Sequence, residues 1–499
     1  MFLCLKKLKV VTPSKMTIGY SMVLNDFVPA LIDKKKQALL LILFLLLQIL
    51  VSVSILISPL MIAIAGLLFL ILVGFWLSLK WEIAIGFLLF IIIFVNPPFG
   101  PRFELPYILW PQTIFYITMI ILWVLQSLIG RTKYHSNISL LGFTYLLFLI
   151  VCIIGALLAT FNGNPREYIN ADLRTVGYLM IFYLMIRVIR RKQQITILNN
   201  ALFLSANALA IYTIISEIIL LFKKGSNFKL IRIYGFGTDI YYQIAILTVI
   251  GLILFSGLPR RKLLLSAIAP AVALAMSLTR GYWLGLGIGL LVMFLLLSSK
   301  RQKTFMLAGA YFFCVLFIIF IFSGGLFRDI GTVVISRIFS LGQFKTDPSA
   351  AFRFLEINRV LGEFPKHPIL GRGLGATLRI TSPFNIFKTI EWWSIHNGYI
   401  EILHKLGILG LASYLALSFS FFRAGILAFR KTNEPYLKGT VAGVIASFAS
   451  ILITSFTSGV IFRVDTAVYI GIIFGIVEYL STTKMNAVDA GMVGIREAV

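Results

Sequence analysis

Residues 140–161 read LLGFTYLLFLIVCIIGALLATF, and no Asp, Glu, Lys or Arg falls between Lys133 and Arg166. A helix needs about 20 mostly apolar residues to cross the hydrocarbon core of a bilayer, so this run is long enough to span. The same kind of run recurs along the chain. Fourteen are found, centred from about residue 47 to about residue 473. Two of them are short and two meet at Arg280, so a count of twelve is also compatible. Composition agrees: 59% of the 499 residues are hydrophobic and 13% charged, against roughly 45–50% and about 25% in soluble domains. No aqueous fold of this length hides that much apolar surface, which excludes a soluble enzyme. The expected fold class is an all-α polytopic transmembrane bundle of about 14 helices.

The 45 Lys and Arg against 19 Asp and Glu give a formal charge of +26. Most of the basic residues sit in short blocks between apolar runs, which is the pattern of membrane orientation, not of a nucleic-acid-binding face. With both termini in the cytoplasm, Lys34–Lys36, Arg131/Lys133, Arg190–Lys192, Arg260–Lys262, Lys300/Arg301/Lys303 and Arg430/Lys431 all fall inside. The expected layout is a basic cytoplasmic tail over 1–36, spans over 37–323, a large external loop over 324–395, further spans over 396–481 and a cytoplasmic tail over 482–499. No cleavable signal peptide is expected, because the first long apolar run begins only after Lys36. Cys4, Cys152 and Cys314 are far apart and suggest neither disulfides nor a metal site.

The long external segment carries its own helical pattern. Asp347-Pro348 supplies an N-cap with proline at the first helical position, and Pro365 stops the run. Phe352, Leu355, Val360, Leu361 and Phe364 fall at helical spacing, opposite Arg353, Glu356, Arg359 and Glu363. An amphipathic helix on the outer face of the bundle is expected.

Three places carry residues suited to chemistry, each with a plain alternative. Arg280, in Ser277-Leu-Thr-Arg-Gly-Tyr-Trp-Leu-Gly285, is the only charge between Lys262 and Lys300. An intramembrane Arg faces a cavity or a partner, or snorkels at a hairpin tip. Arg353 offers a cation on the loop helix, or pairs with Glu356 one turn away. The following Gly371-Arg372-Gly373-Leu374-Gly375 has neither a preceding strand nor a P-loop lysine, so a glycine turn is the simpler reading than a nucleotide site. His396 re-enters the membrane beside Trp392 and Trp393, where an imidazole can take a proton from a hydroxyl or merely cap the helix. No H-x-x-x-H spacing and no acidic cluster appears, so neither a metal nor a cofactor is expected.

Together these blocks resemble the O-antigen ligase and O-antigen polymerase superfamily of bacterial membrane glycosyltransferases. The likeness is carried, in the family's order, by Thr279-Arg280-Gly281-x-Trp283-Leu-Gly285; by Arg353 leading to His367-Pro-Ile-Leu-Gly371-x-Gly373-x-Gly375; and by His396-Asn397-x-Tyr399-Ile … Leu406-Gly407-Ile-Leu-Gly410. A looser likeness is Arg232-x-x-Gly235-x-Gly237-x-Asp239, where the family more often has asparagines. Near the third block the family often has a glutamate before the glycine, whereas this chain has His404-Lys405. The resemblance implies a metal-independent, inverting transfer of glycan from undecaprenyl pyrophosphate to a sugar hydroxyl at the outer face of a bacterial cell membrane. It implies that Arg280 and Arg353 neutralise the leaving pyrophosphate and that His396 activates the acceptor hydroxyl, with Arg232, Asn397 and Arg372 as further contacts to the lipid-linked glycan. The implied partners are that donor, an acceptor glycan or glycolipid, the bilayer, and a chain-length regulator or flippase of the same pathway.

Within the superfamily, about fourteen helices lean toward a polymerase that joins repeat units, rather than a ligase that moves a finished chain to another acceptor. A flippase or exporter of lipid-linked oligosaccharide also has about that many helices. It typically shows matched halves and ionisable groups at mid-membrane depth. Here the polar residues gather in the long loop and on one face.

Overall fold

The computed structural model describes residues 81–95, 111–129, 139–189, 191–224, 239–277, 279–307, 309, 348–382 and 385–482. Among these the chain is helical: α1 (Trp81–Phe90, continued by a π turn over Ile91–Val95), α2 (Pro111–Ile129), α3 (Leu140–Phe161), α4 (Arg166–Leu179), α5 (Ile181–Val188), α6 (Lys192–Lys224), α7 (Asp239–Phe255), α8 (Arg260–Met276), α9 (Arg280–Leu296), α10 (Pro348–Glu363), α11 (Gly398–Lys431), α12 (Pro435–Thr454) and α13 (Val464–Thr482). Among the described residues, six segments are long and apolar enough to cross a membrane: Leu140–Phe161, Arg166–Val188, Lys192–Ser216, Gly398–Lys431, Pro435–Thr454 and Val464–Thr482. The protein is a polytopic helical membrane protein. The expected spans centred near residues 47, 69 and 313 lie outside the described residues.

α7 is the buried centre, covered on nearly all sides. It packs along α12, which also receives α9. Small residues permit the approach: a Cβ on Gly251 would sit 2.5 Å from the Gly439 carbonyl oxygen, and Gly443 lies against the α7 backbone at Thr248. Between helices in lipid the driving force is close packing and interhelical hydrogen bonding rather than apolar burial. Both are present here. Gln243 on α7 donates to Ser450 Oγ (2.5 Å) and Thr454 Oγ1 (3.2 Å) on α12. Asn199 on α6 donates to Tyr436 and Thr440. On the other side, α3, α5, α11, α12 and α13 meet through aromatic rings. Tyr145 stacks on Phe182 at 4.2 Å and Phe421 on Phe474 at 4.3 Å, ring contacts that add to the burial of each side chain.

The helices alternate in direction, so the connections sort into two ends. One end holds the turns joining α5 to α6, α7 to α8 and α11 to α12, with Arg187, Arg191, Arg260, Arg261, Lys262, Arg430 and Lys431 nearby. Lys192 pairs with Glu434 there. The opposite end holds the α3–α4 turn, the start of α9, the α12–α13 turn and the whole of residues 348–397.

The described residues of the stretch 348–397 form α10, a 3₁₀ turn (Phe364–Lys366), a glycine-rich loop, and an antiparallel pair of strands, β1 (Leu378–Ser382) and β2 (Asn385–Trp392). The hairpin had no counterpart in the sequence reading. The face of α10 also differs from the expected one. Glu356 and Val360 are buried, with Val360 packing against Leu378, Ile380 and Ile395, while Leu355 and Leu361 are exposed. The buried stripe is turned because Glu356 has partners inside, as described below.

Candidate active site

The loop is clamped to the bundle by three glycines with left-handed backbone, Gly371, Gly373 and Gly375. A Cβ at Gly371 would lie 2.6 Å from the backbone of Lys405–Gly407, and one at Gly373 would lie 2.6 Å from the backbone of Ala159. α11 answers with its own non-helical residue: Gly407 has φ 63° and ψ −162°, kinking the helix where it meets Ile369 and Gly371. The G-x-G-x-G run is therefore a backbone clasp, and a nucleotide has no place in it. Gly371→Ala is expected to cost at least about 1–3 kcal/mol, because strained φ and a backbone clash combine. Thermal unfolding of the detergent-solubilised protein checks this.

Hydrogen bonds complete the clasp. Arg372 N donates to the His404 carbonyl (2.9 Å) and Gly373 N to that of Lys405 (2.9 Å). Asn162 and Asn164, in the α3–α4 turn, donate to the Arg372 carbonyl at 3.0 and 2.9 Å. Gly375 N donates to the Asp172 carboxylate at 2.7 Å. Asp172 on α4 also holds Lys405 on α11 (Nζ–Oδ2 3.0 Å), and Lys405 holds Glu401 (2.8 Å). All three are buried, with Lys405 lying between the rings of Trp393 and Phe462. Sequence reading passed over this triad, although the Glu-x-x-x-Lys pair at a helix entry was a visible signal.

His396 sits between β2 and α11. Its Nδ1 is 2.9 Å from Glu356 Oε1, and its backbone N–H donates to Glu356 Oε2 at 3.1 Å. The ring is stacked on Trp392 at 5.9 Å and edged by Phe352 at 5.8 Å. The Glu356 side chain is 1% exposed and that of His396 is 39% exposed. Arg353 lies one turn before Glu356 on α10, which brings it to the His396 region. Asn397 caps α11: its Oδ1 accepts from Tyr399 N and Ile400 N, and its Nδ2 donates to the Phe456 carbonyl at 3.1 Å.

That last bond reaches the α12–α13 turn, where the remaining candidate is anchored. Gly398 N donates to the Ser455 carbonyl (2.8 Å), and a Cβ on Gly459 would touch the Ile395 carbonyl oxygen. Gly281, beside Arg280 at the start of α9, lies directly against Thr457. Trp283 fixes the same helix end by donating to the Leu274 carbonyl at 3.0 Å. In the same turn Arg463 grips Asp465 through Nε (3.1 Å) and Nη2 (2.7 Å). Burial opposes the Arg463 charge and the Asp465 carboxylate more than offsets it, so the pKa is raised and the cation persists.

The start of α9 beside Arg280 and the Asn397 cap after His396 thus both adjoin the α12–α13 turn, and Arg353 lies one turn from Glu356, the partner of His396. Arg372 differs in setting: its guanidinium bonds Glu363 (3.1 Å) and the Thr377 carbonyl (3.3 Å), bracing the clasp. Arg232 lies outside the described residues. Among the described residues no group of three His, Cys, Asp or Glu side chains is arranged to hold a metal.

No curated protein matches the chain. Residues 265–415, from α8 through the first half of α11, match the family model described as O-antigen ligase. This stretch contains Arg280, Arg353, Arg372, His396 and Asn397. Over those residues the chain therefore carries an O-antigen ligase domain within a polytopic helical membrane protein, and that domain implies transfer of lipid-linked glycan.

Proposed function

We propose that the protein transfers glycan from undecaprenyl pyrophosphate to a sugar hydroxyl at the outer face of a bacterial cell membrane, and that it polymerises repeat units of a surface polysaccharide. The supporting observation is the gathering of two arginines and a half-exposed histidine at one end of the bundle, within the stretch that matches the family. That end is the one opposite the compact basic blocks, so by the positive-inside rule it faces outward and both termini face the cytoplasm.

The chemistry follows from the side chains. Pyrophosphate leaves readily once its developing charge is neutralised, and guanidinium groups remain charged and grip phosphate oxygens in pairs. Arg280 and Arg353 take that role. Arg280 also stands at the N-terminus of α9, where backbone N–H groups add positive potential. His396 accepts the proton of the acceptor hydroxyl as its oxygen attacks the anomeric carbon from the side opposite the pyrophosphate, which inverts that centre. Asn397, Arg372 and Arg232 are assigned as further contacts to the lipid-linked glycan on the strength of the family likeness. Acceptor glycan, bilayer and a chain-length regulator or flippase are the partners of such a reaction.

A ligase is the second reading, because the matching family model carries that description. A gel profile of lipid-linked and surface glycan in a deletion strain separates the two. Single repeat units accumulate if a polymerase is missing, and finished chains remain on the polyprenyl carrier if a ligase is missing. Complementation with Arg280→Ala or Arg353→Ala is expected to leave the defect in place at normal protein level, with Arg→Lys at either position recovering only part, since lysine loses the two-pronged grip. Wild-type glycan from both alanine variants sinks the transferase assignment and leaves a flippase in its place.

A further inference from the structure

Glu356 belongs to no motif that carries the family likeness, yet it is the most completely buried group in contact with His396. Its two carboxylate oxygens are both spent on that one residue: Oε2 accepts from the backbone N–H at 3.1 Å and Oε1 faces ring Nδ1 at 2.9 Å. An ionised carboxylate oxygen only accepts, so a carboxylate at Glu356 puts the proton on the ring nitrogen that faces it. The backbone contact fixes where the His396 main chain stands. The ring contact, with Trp392 stacked on one side and the Phe352 edge against the ring, fixes how the imidazole is turned.

We propose that Glu356 is a positioning residue for His396: it holds the proton on Nδ1 and leaves the Nε2 lone pair bare toward the acceptor hydroxyl. This rests on the reading of His396 as the general base. In the transfer step the acceptor O–H bond breaks and its proton goes to Nε2. The oxygen forms the new bond to the anomeric carbon, and the bond from that carbon to the pyrophosphate oxygen breaks, the electron pair leaving with undecaprenyl pyrophosphate. The imidazolium so formed lies against the Glu356 carboxylate, which stabilises it without taking the proton, and the proton then passes to water. Placing the carboxylate on α10 rather than on α11 makes the base depend on the external loop being docked: α10 must be seated for His396 to be turned correctly.

The test reads the tautomer directly and does not depend on turnover. Full-length protein labelled with ¹⁵N-histidine is purified in detergent, and the His396 ring signals are assigned by their loss in His396→Gln. Wild type is expected to show protonated Nδ1 and unprotonated Nε2. Glu356→Ala is expected to move the proton toward Nε2, the usual preference of an unconstrained neutral imidazole. Glu356→Gln, of the same shape, covers the case in which the alanine variant does not accumulate. Lacking the second acceptor oxygen and the charge, it is expected to lower polymer formation in the deletion strain at least about tenfold at unchanged protein level. A wild-type His396 protonated on Nε2, or wild-type glycan from Glu356→Gln, overturns the proposal. If instead His396→Ala itself makes normal glycan, the base assignment falls, and the tautomer shift in Glu356→Ala still reports whether Glu356 orients the ring.

Discussion

His396→Ala is expected to abolish polymer in a complemented deletion strain while the protein remains in the membrane at wild-type level. Positioned general-base catalysis contributes about 10²–10⁴-fold, and a surface glycan assembled over a generation cannot absorb such a loss. The fold is expected to survive, because the backbone N–H of residue 396 still donates to Glu356 and the α11 cap belongs to Asn397. His396→Gln separates the two properties of the imidazole. It retains hydrogen-bonding capacity but does not accept a proton at neutral pH, so it is expected to be as inactive as the alanine variant. Immunoblotting of membranes alongside the glycan gel checks both halves. Abundant protein with full-length glycan from either variant means that His396 does not serve as the base.

The second large effect is on stability. Lys405→Met leaves the Asp172 and Glu401 carboxylates buried side by side without their cation. Breaking a buried ion pair by removing one partner costs about 3–5 kcal/mol, whereas replacing the whole set by neutral groups is often close to neutral. Lys405→Met alone is therefore expected to accumulate poorly or to unfold at markedly lower temperature in detergent. The triple replacement Asp172→Asn, Glu401→Gln, Lys405→Met is expected to recover much of the loss, since the asparagine amide oxygen at position 172 still accepts from the Gly375 N–H. A Lys405→Met protein as stable as wild type means that the triad is not what ties α4, α11 and the glycine loop together.

The triad and the Glu356–His396 pair show where sequence reading stops. Apolar runs of spanning length are a local property, so α3, α6, α11, α12 and α13 were readable without any tertiary information. The same holds for the start of α10 at Pro348 and its end before Pro365, because proline geometry acts over three or four residues. The order of the Arg280, Arg353 and His396 blocks was equally plain, and with it the family likeness. What each charged residue faces was not. Glu356 read only as a neighbour of Arg353 one turn away, because the His396 ring it faces is 40 residues further along the chain. Asp172 sits 203 residues from the amide it accepts and 233 from the lysine it pairs.

The hairpin of β1 and β2 was missed for a related reason: strand pairing in a short segment depends on what it packs against, and Leu378 and Ile380 find Val360 and Ile395 only once α10 is docked. Composition and periodicity therefore decide that this chain enters the membrane and roughly where it does so. The tertiary structure alone decides which nitrogen of His396 is turned outward, which cations share its end of the bundle, and why three glycines are needed to hold the loop there. The division is physical. Hydrophobic length and helix capping are read over one or a few turns, whereas the pairing of a buried charge is set by whichever distant segment excludes water beside it.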